Sequence, residues 1–111
     1  MIPAGDSSSV LIVDDSRFFR ELLSSIVGAL DGFVVAGAVS SAAEAQRFCA
    51  ARQPDFVTMD VSMPGKSGLD VIAEILRGYA AKIIMVSAFT AAGTDHALTA
   101  LSLGAVDVVE K

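Results

Sequence analysis

Five short apolar runs punctuate the chain: Val10–Val13, Phe33–Val39, Phe56–Met59, Ile83–Val86 and Val106–Val109. They are near-continuously apolar rather than alternating, the pattern of strands covered on both sheet faces. Between them the period changes to three and four. Phe19, Leu22, Leu23, Ile26, Val27 and Leu30 predict a first helix with one core-facing stripe. Phe18 lies about 100° round that helix from Phe19, off the centre of the stripe. Ser41-Ala-Ala-Glu44 has capping-box spacing and predicts a second helix that stops before Pro54. A third helix is expected from near Gly68, using Leu69, Ile72, Ile75, Leu76 and Tyr79 and leaving Asp70, Glu74 and Arg77 outward. A fourth is expected from about Thr94 to Leu103, closed by Gly104. The order β-α-β-α-β-α-β-α-β predicts an α/β sheet of parallel strands with right-handed crossovers and helices on both faces. Residues 1–9, small and polar with a Pro and a Gly, read as a flexible tail ahead of a domain over 10–111.

Composition narrows this picture. A chain of 111 residues supports one core. It is 53% hydrophobic with a mean hydropathy of +0.61, yet no apolar run approaches the roughly 18 residues a membrane helix needs. Arg and Asp within the first 20 residues interrupt any secretion signal. Cys49 is the one cysteine, so no internal disulfide forms and a reducing, cytoplasmic setting is expected; Cys49 itself reads as a small helix residue. The net charge of −5 comes without a Lys/Arg cluster, which argues against direct nucleic-acid binding.

The polar residues fall at strand ends. The first strand runs into Asp14 and Asp15, the third into Asp60, the fourth into Ser87 and the fifth into Lys111. Sites in open parallel sheets form outside the carboxyl ends of the strands. Taken singly, either Asp14 or Asp15 is a helix cap, Ser87 a turn residue and Lys111 a solvated charge. "DVSMPGKSG" from Asp60 is a turn in any reading, bent by Pro64, Gly65 and Gly68. The combination is what is specific. Three converging carboxylates repel one another and call for a hard divalent cation such as Mg²⁺, with oxygen ligands and room for phosphate. A hydroxyl and a lysine beside it would serve the same phosphate. Asp60, central among them, can be both ligand and nucleophile, forming an aspartyl phosphate.

"VLIVDDSR", "MDVSMPGKSGLDVI", "MVSAF" and "GAVDVVEK" resemble the four signature segments of response regulator receiver domains, in order and over the whole chain after the tail. Within that family the chain looks most like the receivers of chemotaxis protein-glutamate methylesterases, on "TMDVSMP", "MVSAFT" and "ALSLGAVDVV". The resemblance implies a doubly wound, flavodoxin-like sheet of five parallel strands in the order 2-1-3-4-5. It implies Asp60 as phosphoacceptor, Asp15 as direct Mg²⁺ ligand, Asp14 acting through water and the Ser62 backbone carbonyl completing the metal sphere. Ser87 would be the switch hydroxyl and Lys111 the phosphate-pairing lysine. The implied partner is a histidine kinase or histidine phosphotransfer protein, with Phe18 a candidate docking contact on the rim. The domain itself is then a regulatory phosphoacceptor rather than a turnover enzyme. The output is left open between a methylesterase or a transcription factor beyond Lys111 and a stand-alone signal protein.

Three features depart from the family. Val108 stands where an aromatic usually couples to the switch. Ala88 and Phe89 follow Ser87, an apolar choice beside the phosphate. The chain stops at Lys111, where the family continues into a fifth helix, so apolar surface is expected to be bare unless a partner or a second copy covers it. Two other readings compete. A phosphatase resembling the haloacid dehalogenases needs an acid two residues after the nucleophile, and that position is Ser62. A scaffold that no longer phosphorylates would have lost a site residue, and none is lost.

Overall fold

The computed structural model describes residues 7–60, 82–87 and 107–110. Within them are five strands, β1 (Ser8–Val13), β2 (Phe33–Val39), β3 (Phe56–Met59), β4 (Lys82–Ser87) and β5 (Asp107–Glu110), and two helices, α1 (Arg17–Gly28) and α2 (Ala42–Arg52). All neighbouring strands pair in parallel, in the order β2-β1-β3-β4-β5. This is the expected doubly wound sheet. The expected third and fourth helices lie outside the described residues.

β1 is an interior strand, between β2 and β3, and Val10–Val13 are apolar on both of its faces. Leu11, Ile12 and Val13 are almost wholly inaccessible, as are Val57 and Met59 in β3 and Ile83 in β4. Strand order reverses at β1: the chain leaves it for β2 on one side and reaches β3 on the other. With right-handed crossovers, α1 and α2 therefore cover opposite faces. Between Val10 and Leu11 the β1–β2 register slips by one residue, so Ala36 is the extra residue of a bulge.

Two expectations change. Ser8 and Ser9, assigned to the tail, are the first residues of β1 and pair with Phe33 and Val34. Asp55, just before β3, holds them: its carboxylate accepts from the Ser9 amide at 2.8 Å and hydroxyl at 3.2 Å, while the Ser9 hydroxyl accepts from the Asp55 amide at 3.0 Å. A polar strand start is secured from 46 residues away. The second change is in α1. None of its residues is buried. Phe19, Leu23 and Val27 form a half-buried row towards the sheet, while Phe18, Leu22 and Ile26, again four apart, form an exposed one. The apolar stripe is about twice as wide as the sheet covers. Next to it an open apolar groove of about 190 Å³ runs between Val27 and Leu30 on one side and Phe33, Phe56 and Thr58 on the other.

α2 is capped as predicted. The Ser41 hydroxyl accepts from the Glu44 amide, and the Glu44 carboxylate reaches back to the amide and hydroxyl of Ser40. Gln53 takes the left-handed conformation that ends the helix before Pro54. The buried positions, Ala42, Ala45 and Cys49, are small, and burial pushes the Cys49 thiol up from its ordinary value.

Candidate functional site

The carboxyl ends of β1 and β3 lie side by side, and each runs one residue past its last strand position into an acid. The Asp14 amide donates to the Val39 carbonyl at 3.1 Å, and the Asp60 amide donates to the Val13 carbonyl at 3.0 Å. Both acids thus continue the ladder, on adjacent strands and at the point where strand order reverses. Asp14 and Asp60 are buried, whereas Asp15 is exposed at the mouth. One carboxylate oxygen from each of Asp14, Asp15 and Asp60 lies within 4.8 Å of the others.

The turn after β1 is built locally. The Ser16 amide donates to Asp14 Oδ1 at 2.9 Å, and Ser16 is the N-cap of α1, its hydroxyl accepting from the Phe19 amide. Ser16, not Asp14 or Asp15, caps the helix. The two acids are thereby released from the role that a single Asp would take there. Arg20 Nη1 donates to the Asp14 backbone carbonyl at 2.9 Å.

The chemistry of the donor set fits a hard cation. Three carboxylates meet at one sheet edge, two of them buried, and carry like charges that a cation would offset. Oxygen-only donors suit Mg²⁺ or Ca²⁺ rather than a soft metal. Neither histidine nor cysteine is among them.

Of the remaining residues, Ser87 closes β4 at the same edge, paired with Glu110 of β5. Ser62, Lys111, Ala88 and Phe89 lie outside the described residues. Val108 sits mid-strand in β5, opposite Met85. Sequence reasoning found the acid cluster but missed Arg20. Its one signal is its place four residues after the cap, where a long side chain can turn back over the first helical turn.

Comparison with known proteins agrees with this geometry. The sequence model of the response regulator receiver domain matches residues 10–111. A protein-glutamate methylesterase/protein-glutamine glutaminase 2 of Burkholderia thailandensis is 44% identical over 102 residues, 92% of this chain and 29% of its own length. The corresponding protein of Pyrococcus horikoshii is 38% identical over 107 residues, again 29% of its length. The chain therefore spans under a third of these curated relatives. Among solved structures, the response regulator domain of Thermotoga maritima CheB superposes with a TM-score of 0.91 at 34% identity, covering 95% of this chain and 78% of that one. A structure of the P1 domain of CheA3 in complex with CheY6 from R. sphaeroides matches with a TM-score of 0.82 at 32% identity, over 96% and 84% of the two chains.

Proposed function

The chain belongs to the response regulator receiver domain family, and from that membership we propose that it takes a phosphoryl group from a phosphohistidine onto Asp60 and relays the change to an output. The observation that carries this reading is the meeting of Asp14, Asp15 and Asp60 at the switch point between β1 and β3. An Asp60 carboxylate oxygen attacks the donor phosphorus. The O–P bond forms as the N–P bond breaks, and the departing imidazole nitrogen keeps the electron pair and takes up a proton. Asp14, Asp15, Asp60 and the Ser62 carbonyl would hold Mg²⁺, which when bound offsets the charge of the acids and of the phosphoryl oxygens. Ser87 and Lys111 are the proposed donors to the phosphoryl group, Ser87 also being the switch hydroxyl.

The methylesterase relatives support a chemotaxis response regulator, working in the cytoplasm, with an effector beyond the receiver. The CheA3 P1–CheY6 complex supports a phosphohistidine-bearing domain as partner. The exposed row on α1 supports the reading that a fifth helix, or in its place a second copy, covers that flank.

Acetyl phosphate tests the chemistry without a kinase, since positioning and charge stabilisation belong to the receiver. Intact mass should show one added phosphoryl group in the full-length protein and none in Asp60→Asn. An adduct retained in the variant refutes the assignment. Phe18 is 66% exposed in the first turn of α1, beside the acid edge. As a docking contact, its replacement in Phe18→Ala slows transfer from the phosphohistidine donor and leaves acetyl phosphate labelling nearly unchanged. A parallel fall in both rates assigns Phe18 to the fold instead.

A further inference from the structure

The first turns of α1 carry two arginines with different fates. Arg17 is exposed and pairs with Glu21 at 3.1 Å, an i,i+4 contact with 84% and 67% of the two side chains open to solvent. Such a pair contributes little. Arg20 is half-buried. Its side chain lines the cleft between α1 and Ala38 of β2, and its guanidinium turns back to the Asp14 carbonyl. That carbonyl belongs to the peptide joining Asp14 to Asp15.

We propose that Arg20 is a positioning residue for the acidic turn, its guanidinium fixing the plane of the Asp14–Asp15 peptide and so the directions in which both carboxylates project. The inference rests on the metal reading of the acid cluster. The Asp14 amide is tied to the Val39 carbonyl and Oδ1 accepts from the Ser16 amide. The carbonyl is the remaining backbone group, and rotation of its peptide would carry Asp15 with it. A charge-assisted hydrogen bond from a planar donor resists that rotation better than a neutral contact. The consequence is geometric selectivity. Mg²⁺ demands near-octahedral ligands at short distance, while Ca²⁺ tolerates a looser and larger shell.

Positioning and plain electrostatics predict opposite signs. A guanidinium close to a cation site repels the cation through space, so removing it for its charge alone would tighten Mg²⁺ binding. Removing it as a positioning group loosens the turn and weakens binding.

Calorimetric titration of full-length protein with Mg²⁺ and with Ca²⁺ separates the two. Arg20→Ala should bind Mg²⁺ about tenfold more weakly, the lower end for loss of a partner behind the ligands, with a smaller loss for Ca²⁺. Arg20→Lys should fall between it and the parent, and Arg17→Ala should match the parent. Arg20→Gln keeps good helix propensity and carries the same expectation should the alanine variant fail to fold. Unchanged or tighter Mg²⁺ binding in Arg20→Ala or Arg20→Gln, or equal losses for the two metals, overturns the proposal. Asp15→Asn is the control on the underlying reading. If it binds Mg²⁺ as the parent does, the metal assignment fails and this inference with it; if it loses Mg²⁺ while the Arg20 variants do not, only the inference fails.

Discussion

The two described helices cover opposite faces of one sheet, and their packing runs against their patterns. α1 has the broad apolar face, Phe18, Phe19, Leu22, Leu23, Ile26 and Val27, yet buries no residue. α2, one residue shorter, is mostly alanine and polar residues, yet buries Ala42, Ala45 and Cys49. The side chains that α2 buries are small, while the large ones on α1 spread past the strands, leaving Phe18, Leu22 and Ile26 exposed. The ends differ as well. α2 carries Glu44 in its first turn and Arg52 in its last, both favourable to the helix dipole. α1 carries neither, and its first turn holds Arg17 instead. Its acids stand just before the helix, at Asp14 and Asp15, where they form the cluster with Asp60. The comparison teaches that an apolar stripe states which way a helix turns, not how much of it is covered. It also teaches that the helix beside the site gives up local stability to its neighbour's chemistry.

The largest test of this asymmetry is a pair of equal truncations. Leu11 of β1 is wholly buried, so Leu11→Ala should lose about 3 kcal/mol in urea unfolding. Leu22 of α1 is 40% exposed, and Leu22→Ala should lose less than about 1 kcal/mol. Similar losses would break the comparison, because they would require the outer row of α1 to be packed.

Much of the sheet was legible in the sequence because both faces of β1 and β3 are apolar, so a run such as Val10–Val13 has one sensible reading. The edges were less so. Ser8 and Ser9 are polar and become strand only through Asp55, whose partnership across 46 residues no local pattern announces. The bulge at Ala36 follows from pairing rather than from any residue preference. At the site, Asp14, Asp15 and Asp60 were legible because carboxylates beside buried strands need a reason to be there. Arg20 was not: its place four residues after the Ser16 cap permits the turn back, but only the fold decides that it is taken while Arg17 stays in solvent.

A middle-sized test concerns how closely α2 is seated. A Cβ built on Gly37 of β2 would lie 2.6 Å from the Phe48 ring of α2, so the missing side chain is what admits the aromatic. In an open strand, Gly→Ala would stabilise through the unfolded chain. Here Gly37→Ala should instead lose about 1–2 kcal/mol as Phe48 is pushed aside, and adding Phe48→Leu should recover part of it. A neutral or stabilising Gly37→Ala would mean that the Phe48 ring gives way without cost. The double variant then separates crowding from strand propensity, because only crowding depends on residue 48.

The smallest effect sharpens the difference between the helix ends. The Glu44 carboxylate accepts from the Ser40 amide at 2.8 Å and hydroxyl at 3.1 Å, and those donors, the amide first, hold its carboxyl below the ordinary 4.5. A carboxyl more acidic in the folded chain than in the unfolded one stabilises only when ionised. Its contribution is complete above the unfolded value and fades as the pH falls through the lower, folded one. Glu44→Gln should therefore be slightly less stable than the parent at neutral pH, and the gap should close on acidification below that ordinary value. The group lies at the surface, so salt should narrow the gap as well. The matching position of α1 is Phe19, where no acid follows the Ser16 cap, and Phe19→Glu would exchange its half-buried ring for a charge. That variant should lose stability at every pH, most at neutral pH where the glutamate is ionised. Thermal unfolding of both variants between pH 3 and 7 checks the pair: a Glu44→Gln gap that persists undiminished in acid would show that the side chain's shape, not its charge, holds the start of α2.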